Sequence, residues 1–132
     1  MYKIIKRNKI SDSRGWFLKI LHGNEEGLSR EFGEFYITVA LPKKIKGGHY
    51  HNLANEWFTL ISGKCILDLY DNKKSIRKQL NLTSQEPVTV FVPPKISHRF
   101  INTGEENFIL LAYSDVAYDP NDTVVFDFDS IK

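Results

Sequence analysis

Three of the four histidines in this 132-residue chain occur in a pattern that can support chemistry. His49 and His51 are two residues apart in a run predicted to be a strand, so both imidazoles project from the same face. Glu56 follows four residues of turn, and a hairpin there brings its carboxylate back beside the pair. His98 lies far downstream and reaches the same face if the chain closes into a barrel.

These side chains suit two kinds of chemistry. Imidazoles titrate near neutral pH and therefore act as general bases and acids in a polar pocket. The same three histidines, together with Glu56, can alternatively coordinate one divalent metal, and imidazole and carboxylate do not choose among Zn, Ni, Mn and Fe. Two histidines at this spacing also occur as plain surface residues on a solvated strand, so the spacing alone leaves all three interpretations open.

The elements that would position these residues are short strands. Residues 35–41 alternate in the manner of a strand with one buried face, with Phe35, Ile37 and Val39 on one side and Tyr36 on the other. Similar runs cover 3–7, 16–21, 44–51, 57–62, 65–70, 75–80, 88–92, 98–102 and 108–114, with 123–128 as a further candidate. Only 24–32 has helical character. Many closely spaced strands predict an all-β barrel or jelly roll with at most one or two short helices.

Composition limits the classes of function. The length fits a single domain over 1–132, and 18 basic against 16 acidic residues argue against a nucleic-acid or membrane-surface partner. The basic amino terminus lacks the apolar segment of a secretory signal, and no stretch is long and apolar enough to form a membrane helix. Because Cys65 is the only cysteine, a reducing compartment is the simpler location. We therefore expect a cytoplasmic protein.

Two spaced motifs resemble those of the cupins. His-x-His-x4-Glu-x6-Gly runs from His49 to Gly63, and Pro93-x4-His98-x3-Asn102 resembles the second cupin motif, with Lys95 where that motif usually has glycine. Upstream, Asp-x-Arg-Gly-x-Phe at 12–17 is similar to the amino-terminal motif of the dTDP-4-dehydrorhamnose 3,5-epimerase superfamily. Residues 46–51, with 55–56 and the tail at 118–129, resemble the sugar 3,4-ketoisomerases and the cupin domain of a capsular-polysaccharide epimerase–reductase.

This resemblance implies a cupin jelly roll and assigns roles to particular residues. His49 corresponds to the catalytic base of the epimerases and His51 to a second active-site histidine of the ketoisomerases. Arg14 and Lys46 fall at basic positions near the nucleotide phosphates. His98 and Tyr113 are further candidates for substrate binding. Ala112 stands where the epimerases have their catalytic tyrosine, which favours an isomerase, or an epimerase acting at one carbon, over a full 3,5-epimerase.

The implied function is an isomerase or epimerase of a nucleotide-linked 4-keto-6-deoxy hexose in deoxysugar or polysaccharide biosynthesis. Proton abstraction by histidine next to the ketone requires no cofactor. The alternatives are a metal-dependent cupin enzyme that acts on another substrate, and a non-catalytic module that binds a sugar or sugar nucleotide. The resemblance also implies a homodimer, and the strand at 3–7 is a candidate to pair with or swap into a partner.

Overall fold

A computed structural model describes residues 2–131. Twelve strands and one 3₁₀ helix make up the regular structure of that part of the chain. The elements are β1 (Lys3–Lys6), β2 (Lys9–Asp12), β3 (Gly15–Leu18), β4 (Glu34–Ala40), β5 (Ile45–His51), β6 (Glu56–Ser62), β7 (Lys64–Asp71), β8 (Ile76–Thr83), β9 (Val88–Val92), β10 (Ile96–Asn102), β11 (Phe108–Ser114), β12 (Thr123–Val125) and the 3₁₀ helix η1 (Phe128–Ser130).

The strands form two facing antiparallel sheets and one separate hairpin. The first sheet has the order β1-β9-β6-β11-β4, the second has the order β12-β5-β10-β7-β8, and β2 pairs only with β3. Consecutive strands thus repeatedly cross from one sheet to the other, which is the arrangement of a jelly roll. The all-β jelly roll predicted from the strand pattern and the motifs is confirmed.

The apolar side chains that the two sheets bury form one continuous core. Phe58 and Leu110 enter it from the first sheet, and Leu67 and Phe100 enter it from the second. The ring of His98 lies next to this core, with its centroid 5.2 Å from that of Phe58. The close-packed core thus supports the ring of His98 from below the site.

The apolar face of β4 points away from that core. Its inner face carries Tyr36 and the buried Ala40, whereas Phe35, Ile37 and Val39 remain 52%, 62% and 41% exposed. The alternation therefore predicts the strand correctly, but within one chain the more polar side is the one that faces inward. A row of large apolar side chains on the surface of a sheet is typical of an interface.

The largest error of the sequence prediction concerns 24–32, which contains turns and bends instead of a helix. Gly27 has a φ of +84°, which an α-helix cannot contain. The side chain of Glu25 is bound to Arg7, so this segment is fixed by tertiary contacts. In addition, β2 was not predicted, the run at 16–21 ends at Leu18, and the run at 123–128 gives way to η1.

The part of the chain that the structure describes contains no helix with the length and apolar character needed to cross a bilayer.

Candidate functional site

Two adjacent glycines place the histidine pair. Gly47 and Gly48 have φ values of +90° and +95°, a region in which residues with a side chain are strained. A Cβ on Gly47 would lie 2.9 Å from the carbonyl oxygen of His98. The register between β5 and β10 shifts at this point, so that His49 lies directly opposite His98. The glycines thus form a bulge that aims the histidines of both strands into the barrel.

The three imidazoles form a compact triangle between β5 and β10. Ring centroids are 5.0 Å apart for His49 and His51, 4.9 Å for His49 and His98, and 5.9 Å for His51 and His98. One nitrogen from each ring lies within 4.8 Å of the others, close enough to share one small ligand. The cluster predicted from the spacing is therefore present in space.

Glu56 on β6 joins the triangle from the facing sheet. It is 3% exposed, and its Oε1 lies 3.0 Å from His51 Nε2 and 3.3 Å from His98 Nε2. Its Oε2 accepts a hydrogen bond of 3.3 Å from the Tyr36 hydroxyl. Burial alone would raise the pKa of Glu56, but the hydrogen bonds and charges of the two histidines outweigh it and hold that pKa far below its ordinary value. Glu56 is therefore a permanent anion.

The other side of His51 faces the start of β12. Its Nδ1 lies 3.3 Å from Thr123 Oγ1 and 3.9 Å from Asp122 Oδ2. The Asp122 carboxylate also accepts backbone N–H bonds from residues 52–54, which fixes it in place. Burial lowers the pKa of His51, but Glu56, with help from Asp122, outweighs burial and raises it above 6.5. Two carboxylates thus favour the imidazolium form of His51.

His49 is in the opposite electrostatic state. Burial, followed by the neighbouring rings of His98 and His51, lowers its pKa to about 4, and the charge of Glu56 opposes this only in part. His49 is therefore a free base at neutral pH, whereas the carboxylates beside His51 shift that residue towards its protonated form. A neutral base beside a cation is suited to removing a proton from carbon and stabilising the negative charge that results.

His49, His51 and Glu56 line a cavity of about 220 Å³ between the two sheets. Two larger clefts, at the β2–β3 hairpin and between β1 and β8, lie away from the histidines. Lysine and arginine are absent from the described residues that line the histidine cavity. Those residues are Glu34, Tyr36, His49, His51, Ala54, Glu56, Ser114, Val116, Tyr118, Asp122 and Thr123.

None of the four residues predicted for substrate binding lines this cavity. His98 contacts Glu56 without lining the cavity itself. Arg14 lies at the turn of the β2–β3 hairpin, with its side chain 88% exposed and paired with Asp12. Lys46 is exposed on β5. Tyr113 packs on the outer face of the first sheet, where its hydroxyl donates to the carbonyl oxygen of Glu31.

The structure adds Tyr36, Asp122 and Thr123 to the predicted histidines and Glu56. Tyr36 follows Phe35 in a run that reads as an ordinary amphipathic strand, so nothing local distinguishes it. Asp122 directly precedes β12 and Thr123 is its first residue, and both meet His51 only because β12 pairs with β5. Their roles depend on long-range pairing, which spacing along the sequence does not reveal.

Known proteins share this fold and part of this sequence. The profile of the polysaccharide biosynthesis C-terminal domain matches residues 10–126. The spore coat polysaccharide biosynthesis protein SpsL of Bacillus subtilis is 23% identical over 124 residues, which cover 90% of this chain and 82% of SpsL.

Two solved structures show the same architecture. A dTDP sugar isomerase from Desulfovibrio desulfuricans superimposes with a TM-score of 0.88 at 21% identity, covering 98% of this chain and 85% of that one. NovW, a 4-keto-6-deoxy sugar epimerase from the novobiocin gene cluster of Streptomyces spheroides, gives a TM-score of 0.83 at 18% identity, with coverages of 94% and 68%.

Proposed function

The chain belongs to the polysaccharide biosynthesis C-terminal domain family, and from that premise we propose that it is an isomerase or epimerase of a nucleotide-linked 4-keto-6-deoxy hexose. The observation that carries this proposal is the placement of His49 and His51 on the wall of one cavity, with the buried carboxylate of Glu56 3.0 Å from His51 Nε2. The names of its relatives indicate the substrate class, since one is a dTDP sugar isomerase and another a 4-keto-6-deoxy sugar epimerase. SpsL indicates polysaccharide biosynthesis as the setting.

The reaction begins with a hydrogen on a carbon next to the ketone. Such a hydrogen is only weakly acidic, so its removal requires a placed base and a group that stabilises the enolate oxygen. Neutral His49 takes the proton, and the imidazolium of His51 donates a hydrogen bond to the oxygen. If the proton is placed on the former carbonyl carbon, and the hydroxyl of the adjacent carbon gives its own proton to the enolate oxygen, the ketone moves by one position. If a proton is placed on the original carbon from the other face, the configuration of that carbon is inverted.

Glu56 and His98 support this pair without contacting the reacting carbon. Glu56 holds the charge on His51 through the 3.0 Å contact with its Nε2. His98 binds the same carboxylate oxygen, and its Nδ1 lies 3.1 Å from the carbonyl oxygen of Ile96, so its ring is fixed at both nitrogens. This arrangement fixes His51 before substrate binds, which lowers the cost of reorganisation during the reaction.

The substrate's diphosphate must be bound outside the histidine cavity, because the described lining residues include no lysine or arginine. The planar guanidinium of Arg14 donates paired hydrogen bonds to phosphate oxygens in this proposal, and the ammonium of Lys46 adds a positive charge. In our proposal the exposed hairpin that carries Arg14 reaches the cavity of a second subunit. Each site of the homodimer then contains residues from both chains.

The exposed side of β4 is the surface at which we expect the second copy to bind. It presents Phe35, Ile37 and Val39 at 52%, 62% and 41% exposure, with Phe32 nearby at 70%. Burying aromatic and aliphatic area of this kind stabilises a dimer by about 25 cal/mol for each Å². Light scattering on a size-exclusion column should give the mass of a dimer at micromolar concentration, and a monomer there would contradict the dimer.

Substitution of His49 tests the proposed chemistry. General acid–base catalysis contributes roughly two to four orders of magnitude, so His49→Ala should lose at least about 100-fold in turnover and remain folded. His22→Ala is the matched control, because His22 lies in a loop outside the cavity. Unchanged turnover in a folded His49→Ala variant would exclude His49 as the base.

The close approach of the three imidazoles favours a metal-dependent enzyme as the second candidate. His49, His51 and His98 offer nitrogens within 4.8 Å of one another, and Glu56 adds a carboxylate. Zn, Ni, Mn or Fe would fit these donors, provided that the ring nitrogens facing Glu56 exchange their hydrogen bonds for metal bonds. A bound divalent ion would supply Lewis-acid stabilisation of an enolate. Under about a tenth of an equivalent of metal near pH 7–8, together with full activity, would count against this candidate.

We also propose a cytoplasmic location. The single cysteine, Cys65, is buried in the core, where burial raises the pKa of its thiol to about 12. Such a thiol is unreactive, and the chain has no second cysteine with which to form an internal disulfide. These features suit a reducing compartment.

A further inference from the structure

The cavity has two opposite walls, and each contributes a different kind of proton-carrying group. His49 and His51 project from β5, in the second sheet, whereas Tyr36 and Glu56 project from β4 and β6, in the first sheet. The histidine rings and the phenol hydroxyl of Tyr36 therefore lie on opposite walls of the cavity.

Tyr36 reaches this wall because of its register and a small neighbour. It lies directly opposite Ala112 of β11, and side chains in such a pair point to the same side of the sheet. The methyl group of Ala112 leaves room for the aromatic ring. The hydroxyl is held by Glu56 Oε2 at 3.3 Å, and the residue keeps 37% of its surface exposed.

We propose that Tyr36 is a further catalytic residue, which gives a proton to the face of the enolate opposite to the face from which His49 removed one. This inference rests on the proposed function and restricts it from an isomerase or epimerase to an epimerase. A chain with a proton donor on each wall inverts the configuration of one carbon next to the ketone, so the substrate leaves as an epimer with its ketone at the original position.

The protons and electrons of this reaction balance without a co-reactant. The C–H bond breaks with its electron pair left on the sugar, and the proton joins the imidazole of His49. A new C–H bond then forms on the other face with the proton of the Tyr36 hydroxyl. His49 loses its extra proton to water, and the phenolate takes one from water at the open mouth of the cavity. The enzyme thus returns to its starting state.

The hydrogen bond of Tyr36 shows which group carries the proton. Its hydroxyl donates to Glu56 Oε2, and a carboxylate only accepts, so a protonated phenol stands at the cavity wall. A protonated hydroxyl is suited to giving a proton to the enolate, whereas the initial removal of a proton requires a free base such as His49.

The test combines one variant with NMR in deuterated water. Wild-type protein, Tyr36→Phe and the control Tyr70→Phe are each incubated with dTDP-4-keto-6-deoxyglucose. Tyr70 stacks on Phe126 and does not line the cavity. Tyr70→Phe therefore removes the same kind of hydroxyl group at a position away from the site. Signal loss at the ring protons next to the ketone measures exchange, and vicinal coupling constants of the product measure inversion.

We expect Tyr36→Phe to keep the exchange catalysed by His49, with deuterium returned to the original face, and to lose inversion by at least about 100-fold. Tyr70→Phe should behave as wild type. Inversion at the wild-type rate in Tyr36→Phe would overturn the inference. So would equal loss of exchange and inversion in a variant with a native NMR spectrum, because Tyr36 would then serve the first step.

The wild-type control separates the failure of this inference from the failure of the proposed function. If the wild type exchanges ring protons but forms no inverted product, Tyr36 does not have the proposed role. A migrated ketone in that experiment would identify the protein as a ketoisomerase, so the proposed function would stand. The absence of any exchange overturns both the proposed function and the inference.

Discussion

Replacing Glu56 by glutamine should shift the pH range in which the protein is active. Glutamine keeps the shape of the side chain but removes the negative charge that lies 3.0 Å from His51 Nε2. The strongest remaining influence on His51 is then burial, which lowers the pKa of an imidazole. We expect the pKa of His51, which is raised from its ordinary value in the wild type, to fall in Glu56→Gln.

The size of the expected decrease in kcat/KM follows from the loss of the negative charge of Glu56. A lower pKa leaves a smaller fraction of His51 charged at pH 7.5. A hydrogen bond to a charged group contributes about 1.5–3 kcal/mol, which corresponds to about 10- to 100-fold in rate. We therefore expect Glu56→Gln to lose about 10- to 100-fold in kcat/KM at pH 7.5 and to recover part of this loss at lower pH.

The assay is kcat/KM against pH, together with NMR titration of the histidine ring protons. Asp68→Asn is the control, because Asp68 is a fully buried carboxylate that binds Arg77 and Arg99 and does not line the cavity. It should lower stability without moving the pH profile. If the alkaline limb and the titration of His51 in Glu56→Gln match those of the wild type, Glu56 does not set the charge of His51 and the reasoning fails.

Three further predictions concern the pH profile, the bulge and the dimer. Because the pKa of His49 is about 4, the acid limb of kcat/KM should lie near pH 4, with an alkaline limb above 6.5 from His51; an acid limb near 6.5 would contradict the neutral-base assignment. Gly47→Ala should cost about 1–3 kcal/mol of unfolding free energy in urea, because its φ of +90° is strained for alanine, while Gly23→Ala, with nothing within 4 Å, should cost much less. Ile37→Lys should produce a monomer in light scattering, because it buries a charge in the proposed interface; a stable dimer would place the interface elsewhere.

The histidine cluster was predictable because strands impose a simple geometry. A spacing of two residues places His49 and His51 on one face, and a short turn returns Glu56 to them. The second cupin motif predicted the approach of His98, although Lys95 occupies the position that usually has glycine. Lys95 adopts a φ of +71°, so the loop keeps its path despite the different residue.

The remaining parts of the site depend on contacts between distant segments. Tyr36 enters the cavity because β4 pairs with β11 in a register that sequence does not reveal. The helix predicted at 24–32 is absent because Gly27 has a positive φ and Glu25 binds Arg7. The remoteness of Arg14 from the cavity was likewise unpredictable, because it depends on how far the β2–β3 hairpin extends from the sheets.

Exchange of sugar protons with solvent tests the central claim most directly. Wild-type protein of known metal content is incubated in deuterated water with dTDP-4-keto-6-deoxyglucose, and the C3 and C5 protons are followed by NMR. The account predicts loss of the C3 or C5 signal in the wild type and its retention in His49→Ala. Full retention of both signals in the presence of wild-type protein would contradict proton abstraction by this site, and saturable binding in the same sample would then indicate a sugar-nucleotide-binding module.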